Sequence, residues 1–355
     1  MSVFYLLKWL QFVLLTILQP IFSLLGICTN LLSILCICNK HTRKNFQDPM
    51  YKHILVNASF NIFYCLIMSL KLINTCIFLN GSIFCSSLYT TNETQYFKII
   101  VIFFLGNMLK FCCNLSYICF GLSRFILIAD LKEKTLFKKF EEVKAKIWFL
   151  ILLLISATLN MFTLFQYKLN VTWNSSLEFP YEYRNEIFCE DVKHYSTCRL
   201  FNGLKISINL LNDIVCFIIV ILIDWCLLKY FNKNMEHKLH QNVSENHLIE
   251  IQKSKKNVNR MVVLNGLIYA LSHLPEFVTR ILLVCFAKKL SNFCSEKLSC
   301  DLANEEAQFF CLISIFSQFF IFLNFNKNFR SSFGDLKDVF VRKIKLKFFN
   351  VQERN

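Results

Sequence analysis

Glycine and proline are scarce in this chain, 7 and 4 in 355 residues, and only 18% of its residues are charged. A soluble protein of this length needs more charge than that to cover its surface. The shortage of helix breakers also argues against a transporter, which carries internal repeats and Gly- or Pro-interrupted helices near the bilayer midplane; neither is present. Histidine is thin too: His41, His53, His194, His237, His240, His247 and His273 lie mostly in polar connections, without a repeating metal-ligand spacing. No catalytic constellation, metal or cofactor is expected, and the chain is not expected to be an enzyme. A soluble basic domain that could hold nucleic acid is missing as well, so nucleic acid is not expected as a partner.

What is abundant is apolar: 55% of the residues are hydrophobic and 39 are Phe. They fall in blocks at about residues 9–38, 53–79, 98–129, 147–166, 204–230, 261–287 and 307–325, separated by polar connections. Each block is long enough to cross a bilayer as a helix, and none alternates with period two as a barrel strand would. The expected fold is an all-α membrane protein, a seven-transmembrane-helix bundle occupying residues 9–325. The first block is too long for a cleavable signal core, and Pro20 is expected to kink it. Residues 326–355 form a basic tail. Within it Phe325, Phe329, Phe333, Leu336, Phe340 and Ile344 recur at helical steps, which predicts an amphipathic helix lying on membrane lipid after the seventh span.

Lys and Arg set the orientation. With the amino terminus outside, the inner connections and tail hold 25 of the 39 basic residues against 10 on the outer side. The net charge of +15 then reads as a cytoplasmic coat facing the membrane, and a multi-pass plasma-membrane protein with an extracellular amino terminus is expected. The sequons at Asn80, Asn92, Asn170 and Asn174 fall outside on this scheme and are expected glycosylation sites, whereas that at Asn242 falls inside. Of 17 cysteines, Cys76, Cys85, Cys189, Cys198, Cys294 and Cys300 lie at or beyond outer ends, where an oxidising exterior allows disulfides. Cys294 with Cys300 is one candidate bridge, and Cys85 with Cys189 or Cys198 another.

The third block ends on an intramembrane charge, Arg124, in the run Leu122-Ser123-Arg124-Phe125. Arginine at a span's centre costs roughly 2.5–3.5 kcal/mol on insertion scales, so such a residue is a functional candidate by default.

Seven spans, an outside amino terminus, that third-helix ending, a Pro-bearing sixth block and a seventh closing in FNKNFR resemble the rhodopsin-like G-protein-coupled receptors. Gly26-x-x-x-Asn30 resembles the first-helix signature. Leu55-Val56-Asn57-Ala58-Ser59-Phe60-Asn61 resembles the second-helix motif, with Asn61 for its final Asp. Arg124 matches the arginine of the Asp/Glu-Arg-Tyr motif, with Ser123 for the acid, and Trp148 lies near the fourth-helix Trp. Ser272-His273-Leu274-Pro275 stands where the family has Cys-Trp-x-Pro. Residues 314–322 resemble the Asn-Pro-x-x-Tyr region, most nearly the form found in invertebrate FMRFamide-like peptide receptors, with Gln318 and Phe322 for Asn and Tyr.

The resemblance implies transduction of an extracellular ligand to a heterotrimeric G protein. Arg124 and Ser123 would lie at the coupling switch, and His273, Pro275, Gln318, Phe322, Asn61 and Asn30 would act in the helix rearrangement. It also implies loss of the family's sodium site, whose carboxylate Asn61 replaces. Gly106 holds the place where amine receptors carry Asp, and no Lys sits in the seventh span, so amine and retinal ligands are disfavoured. Lys71, Asn107, Lys110, His273, Glu276 and Arg280 are the candidate pocket residues; Lys71 and Lys110, unpaired, would take a ligand carboxylate or carbonyls, which points to a short peptide. Glu276 and Arg280 are spaced to pair with each other. The rival class is a chemosensory seven-helix ligand-gated ion channel with inverted topology.

Overall fold

The computed structural model describes residues 3–39, 46, 48–79, 82–86, 88, 91–128, 139–140, 142–166, 204, 207–208, 210–239, 260–278 and 297–352. Among them, 7 helices are long and apolar enough to cross a membrane: α1 (Lys8–Cys38), α2 (Pro49–Ile73), α3 (Glu93–Ile126), α4 (Ala145–Leu164), α5 (Leu211–Lys233), α6 (Arg260–Val278) and α7 (Gln308–Phe325). A further helix, α8 (Lys327–Gln352), follows the seventh span. The chain is an all-α, multi-pass membrane protein in architecture.

Local chemistry moves several expected boundaries. Lys52 and His53 hide the true start of α2, which is Pro49 in the first turn behind Asp48 in extended conformation, a position where proline's missing N–H costs nothing. α3 is entered earlier than residue 98, because the Thr91 hydroxyl caps the first turn by accepting from Thr94 N at 3.3 Å. Pro20 does not break α1: it lies in the first turn of the α-helical stretch Gln19–Cys38, directly after a π-helical turn at Val13–Leu18. Such wide turns also occur at Lys98–Leu105 and Leu211–Val215, and each shifts the faces of the helix beyond it.

Between α2 and α3 the chain departs from helix. Strands β1 (Cys76–Leu79) and β2 (Ser82–Cys85) pair antiparallel with Cys76 opposite Cys85 and Leu79 opposite Ser82. Asn80-Gly81 separates them in the sequence, the dipeptide that best suits a two-residue hairpin loop. The structure does not bear out the expected disulfides. Every cysteine whose side chain is described is free, and across the hairpin the backbone of Cys85 is opposed by that of Cys76. Cys300 falls within the helix Lys297–Phe325, while Cys189, Cys198 and Cys294 lie outside the described residues.

The bundle is apolar on its surface as well as in its core, and polar side chains gather inside it. Leu24, Leu154, Leu222, Trp225 and Leu271 are exposed on its surface, while Asn30, Asn57, Asn61, Asn114 and Ser116 are buried. Apolar outer faces need no partner in lipid, and the buried amides hold neighbouring helices together. α1 packs on α2, α2 on α3, α3 on both α4 and α5, and α7 returns to α1. α2 and α3 each bury 61% of their most apolar window against 22% for α4, which places α3 centrally and α4 at the rim. At Gly26 the α1 backbone packs against the Cys65 side chain of α2: a Cβ there would stand 2.5 Å from Cys65 Sγ.

α8 begins at Asn326, whose side-chain oxygen accepts from Phe329 N at 3.1 Å, and is tied back by Ser332 Oγ donating to the Cys36 carbonyl at 2.7 Å. Phe329 is fully buried against Phe319 and Phe322, and Phe333 packs beside it. Arg330 and Lys337 are exposed. The apolar stripe expected from the sequence thus docks at its start against the bundle.

Candidate functional site

The polar residues inside the bundle form three groups, strung along α3. Nearest the hairpin end is an ion cluster. Lys110 on α3 lies 3.1 Å from Asp213 Oδ1 on α5 and donates a second, short hydrogen bond to Glu276 Oε1 on α6. All three are buried, at 7%, 3% and 5% exposure. A charge removed from water persists only if paired, and here one ammonium joins three helices. The wide turn Leu211–Val215 contains Asp213 and the next acceptor in the chain: Asn212 Nδ2 donates to Asp213 Oδ1 at 2.9 Å, and Asn114 Nδ2 donates to Asn212 Oδ1 at 2.9 Å.

This overturns the expectation that Lys110 waits unpaired for a ligand carboxylate. Glu276 pairs with Lys110 across to α3; Arg280, its expected partner one helical turn on, lies outside the described residues. Lys71 is not unpaired either: its Nζ donates to Gln308 Oε1 at 2.8 Å, joining α2 to α7. Asn107 is exposed on the outside of α3 and does not line the interior.

Below the ions, rings stack toward the α8 end. His273 lies 4.2 Å from the Tyr269 ring and Tyr269 stacks on Tyr117 at 4.6 Å. Tyr117 meets Phe120 edge-on at 6.1 Å, and Phe120 meets Phe322 at 5.8 Å. His273 and Phe322, which the sequence singled out separately, are thus the two ends of one column of aromatic contacts across α6, α3 and α7. Pro275 remains within the helical run of α6, one turn from Leu271, whose carbonyl it cannot bond.

The amide group lies beside this column. Asn61 Nδ2 donates to Asn30 Oδ1 at 3.2 Å, Asn57 Nδ2 to Gln318 Oε1 at 3.0 Å, and Ser116 Oγ to Asn57 Oδ1 at 2.7 Å. These bonds join α1 to α2, α2 to α7 and α3 to α2. A small cavity of about 10 Å³, the size of one water, is lined by Asn30, Ser33, Asn57 and Gln318 with apolar neighbours. None of these groups carries a charge.

Arg124 ends the series. It is 3% exposed, its guanidinium stands 5.1 Å over the Phe120 ring, and its Nη2 has no hydrogen-bond partner. Ser123 beside it is buried with an equally unpartnered hydroxyl. Snorkelling to an aqueous edge is therefore not how Arg124 is accommodated. Asn92 opens the short helix Asn92–Phe97, and Asn80, Asn170 and Asn174 lie outside the described residues.

Of the residues singled out from the sequence, Asn30, Asn61, Phe322, His273 and Arg124 are buried and Gln318 is half-buried. Sequence reasoning missed the roles of Asn57, Asn114 and Ser116, whose signal was available: amides and hydroxyls within apolar spans stay polar because they bond across helices. No protein-family model matches the chain, and no curated protein matches it.

Proposed function

We propose that this protein is a seven-helix receptor of the plasma membrane, amino terminus outside, that converts binding of an extracellular ligand into G-protein signalling at the cytoplasmic face. The reading rests most on one observation: a buried arginine, Arg124, lies at the far end of α3 from an ion cluster that joins α3, α5 and α6. Between them runs the ring column from His273 to Phe120, on which Arg124 itself rests. A ligand that alters how Asp213 and Glu276 share Lys110 favours one packing of α6 over another, and only such differential affinity can shift the equilibrium. Pro275 weakens the hydrogen-bond ladder of α6 where its two halves would part.

The ligand class we favour is a short peptide, which brings an ammonium and amide groups to a cluster of two carboxylates and one ammonium. Lys110 is a member of that cluster, not a free anchor for a ligand carboxylate.

The test combines topology with signalling. An amino-terminal epitope tag reachable on intact cells, with glycosidase-sensitive shifts lost in Asn92→Gln and Asn170→Gln variants, is the expected result. Arg124→Ala at equal surface expression is then expected to abolish basal or peptide-driven G-protein activation. A tag reachable only after permeabilisation overturns the orientation and favours the chemosensory channel.

A further inference from the structure

Ser123 leaves Arg124 without an acidic neighbour in sequence, but the fold supplies one from another helix. Asp224 on α5 is 9% exposed, and its Oδ2 accepts no hydrogen bond, just as Arg124 Nη2 makes none. The two interact electrostatically, and Tyr117, two turns before Arg124 on α3, interacts with both. They do not touch: no ion pair or hydrogen bond joins Arg124 to Asp224. A buried guanidinium and a buried carboxylate, each with an unsatisfied atom, are costly in a bilayer unless each offsets the other's charge. The third wall of this site is α6. A Cβ added at Gly266 would stand 2.8 Å from Asp224 Oδ2, so a larger residue there would have to push that carboxylate aside, while glycine lets the α6 backbone cover it.

We propose that Asp224 is the positioning counter-charge of Arg124, forming a latch between α3 and α5 that α6 keeps shut by covering Asp224 at Gly266. The proposal rests on the receptor reading for its purpose, but not for its geometry. While Gly266 lies against Asp224, the pair sits in a low-dielectric interior and its attraction is strong. When that part of α6 moves away, water reaches the carboxylate and the same attraction falls several-fold. Arg124 is then released at the moment the cleft beside it opens. The latch therefore senses the position of α6 and replaces the acid that position 123 lacks.

The test is a double-mutant cycle on the full-length protein in detergent micelles, read by thermal unfolding, with Arg124→Gln, Asp224→Asn and the double variant. The expected result is clear non-additivity: neutralising the second charge costs less once the first is gone, or even restores the midpoint. Additive changes overturn the latch. If a single variant does not fold, a double variant that does fold is itself the non-additive result, and the charge-retaining Asp224→Glu is expected to keep a near-native midpoint. In a Gly266→Ala background the non-additivity is expected to shrink, because the added methyl displaces the carboxylate.

The second readout is basal nucleotide exchange on a panel of purified Gα subunits in membranes. Asp224→Asn is expected to raise it about fivefold or more, the lower end of ordinary coupling between two states. A non-additive cycle with exchange unchanged and insensitive to Arg124→Ala keeps the latch and sinks G-protein coupling. An additive cycle in a protein whose exchange does need Arg124 sinks the latch and keeps the receptor.

Discussion

The Lys110 ammonium lies 3.1 Å from the Asp213 carboxylate and holds α3 to α5 inside the bundle, while Glu276 brings α6 to the same nitrogen. Removing the cation leaves two carboxylates buried together. Breaking a buried pair from one side costs about 3–5 kcal/mol. Lys110→Met is therefore expected to lower the unfolding midpoint in detergent sharply, with partial recovery when Asp213→Asn and Glu276→Gln are added. Equal midpoints for Lys110→Met and the parent protein would show that the cluster does not hold the helices.

The aromatic column predicts a split between ring and hydroxyl. Tyr269 stacks on Tyr117 and His273, while its hydroxyl makes only a long contact of 3.5 Å with Asn114. Tyr269→Phe is expected to leave stability within about 1 kcal/mol, the net worth of an ordinary hydrogen bond. Tyr269→Ala is expected to cost about 3–5 kcal/mol, as aromatic deletions in packed cores do. If the ring links the ion cluster to Arg124, Tyr269→Ala also weakens ligand response while Tyr269→Phe retains it. Thermal unfolding and dose–response on the same preparations check both.

Much of this architecture was legible in the sequence, because span-length apolar runs leave helices as the only way to satisfy backbone groups in lipid. The stripe at Phe329 and Phe333 was legible for the same reason of periodicity. The hairpin was not, although Asn80-Gly81 marked it; a sequon at the same asparagine drew the reading toward glycosylation. The start of α2 was obscured by Lys52 and His53, yet Asp48-Pro49 is an ordinary helix-opening pair. The partners of Lys110 were beyond reach for a physical reason. Asp213 and Glu276 are 103 and 166 residues away, and the nearer helical pairing of Glu276 with Arg280 looks equally good in one dimension. Only packing brings such distant partners together.

The amide network predicts which substitution near α7 matters. Gln318 accepts from Asn57 at 3.0 Å, and Asn57 in turn accepts from Ser116 at 2.7 Å. Gln318→Leu removes one acceptor and strands the Asn57 amide, a loss of about 1–3 kcal/mol. Asn57→Leu on top of Gln318→Leu is expected to cost less than the two losses summed, since no polar group is then left waiting between α2 and α7. A thermal cycle on the two variants measures the coupling, and strict additivity would sever the link.

Asn61 and Asn30 bear on ion binding at the centre of the bundle. The Asn61 amide donates to Asn30 Oδ1 at 3.2 Å, and the adjacent water-sized cavity is lined by Asn30, Ser33, Asn57 and Gln318 with no carboxylate among them. A monovalent cation held there would lose its hydration for neutral dipoles alone, and hard cations need charged or numerous oxygen ligands to offset that loss. Stability is therefore expected to be the same in sodium, potassium and choline chloride at equal ionic strength. Asn61→Asp places a carboxylate beside Asn30 and is expected to lower the midpoint in choline, because the new charge is buried without a partner. In sodium that loss is expected to shrink as the ion supplies the missing charge. A parent protein stabilised selectively by sodium, or an Asn61→Asp variant blind to it, would show that this asparagine does not govern ion binding at the centre of the bundle.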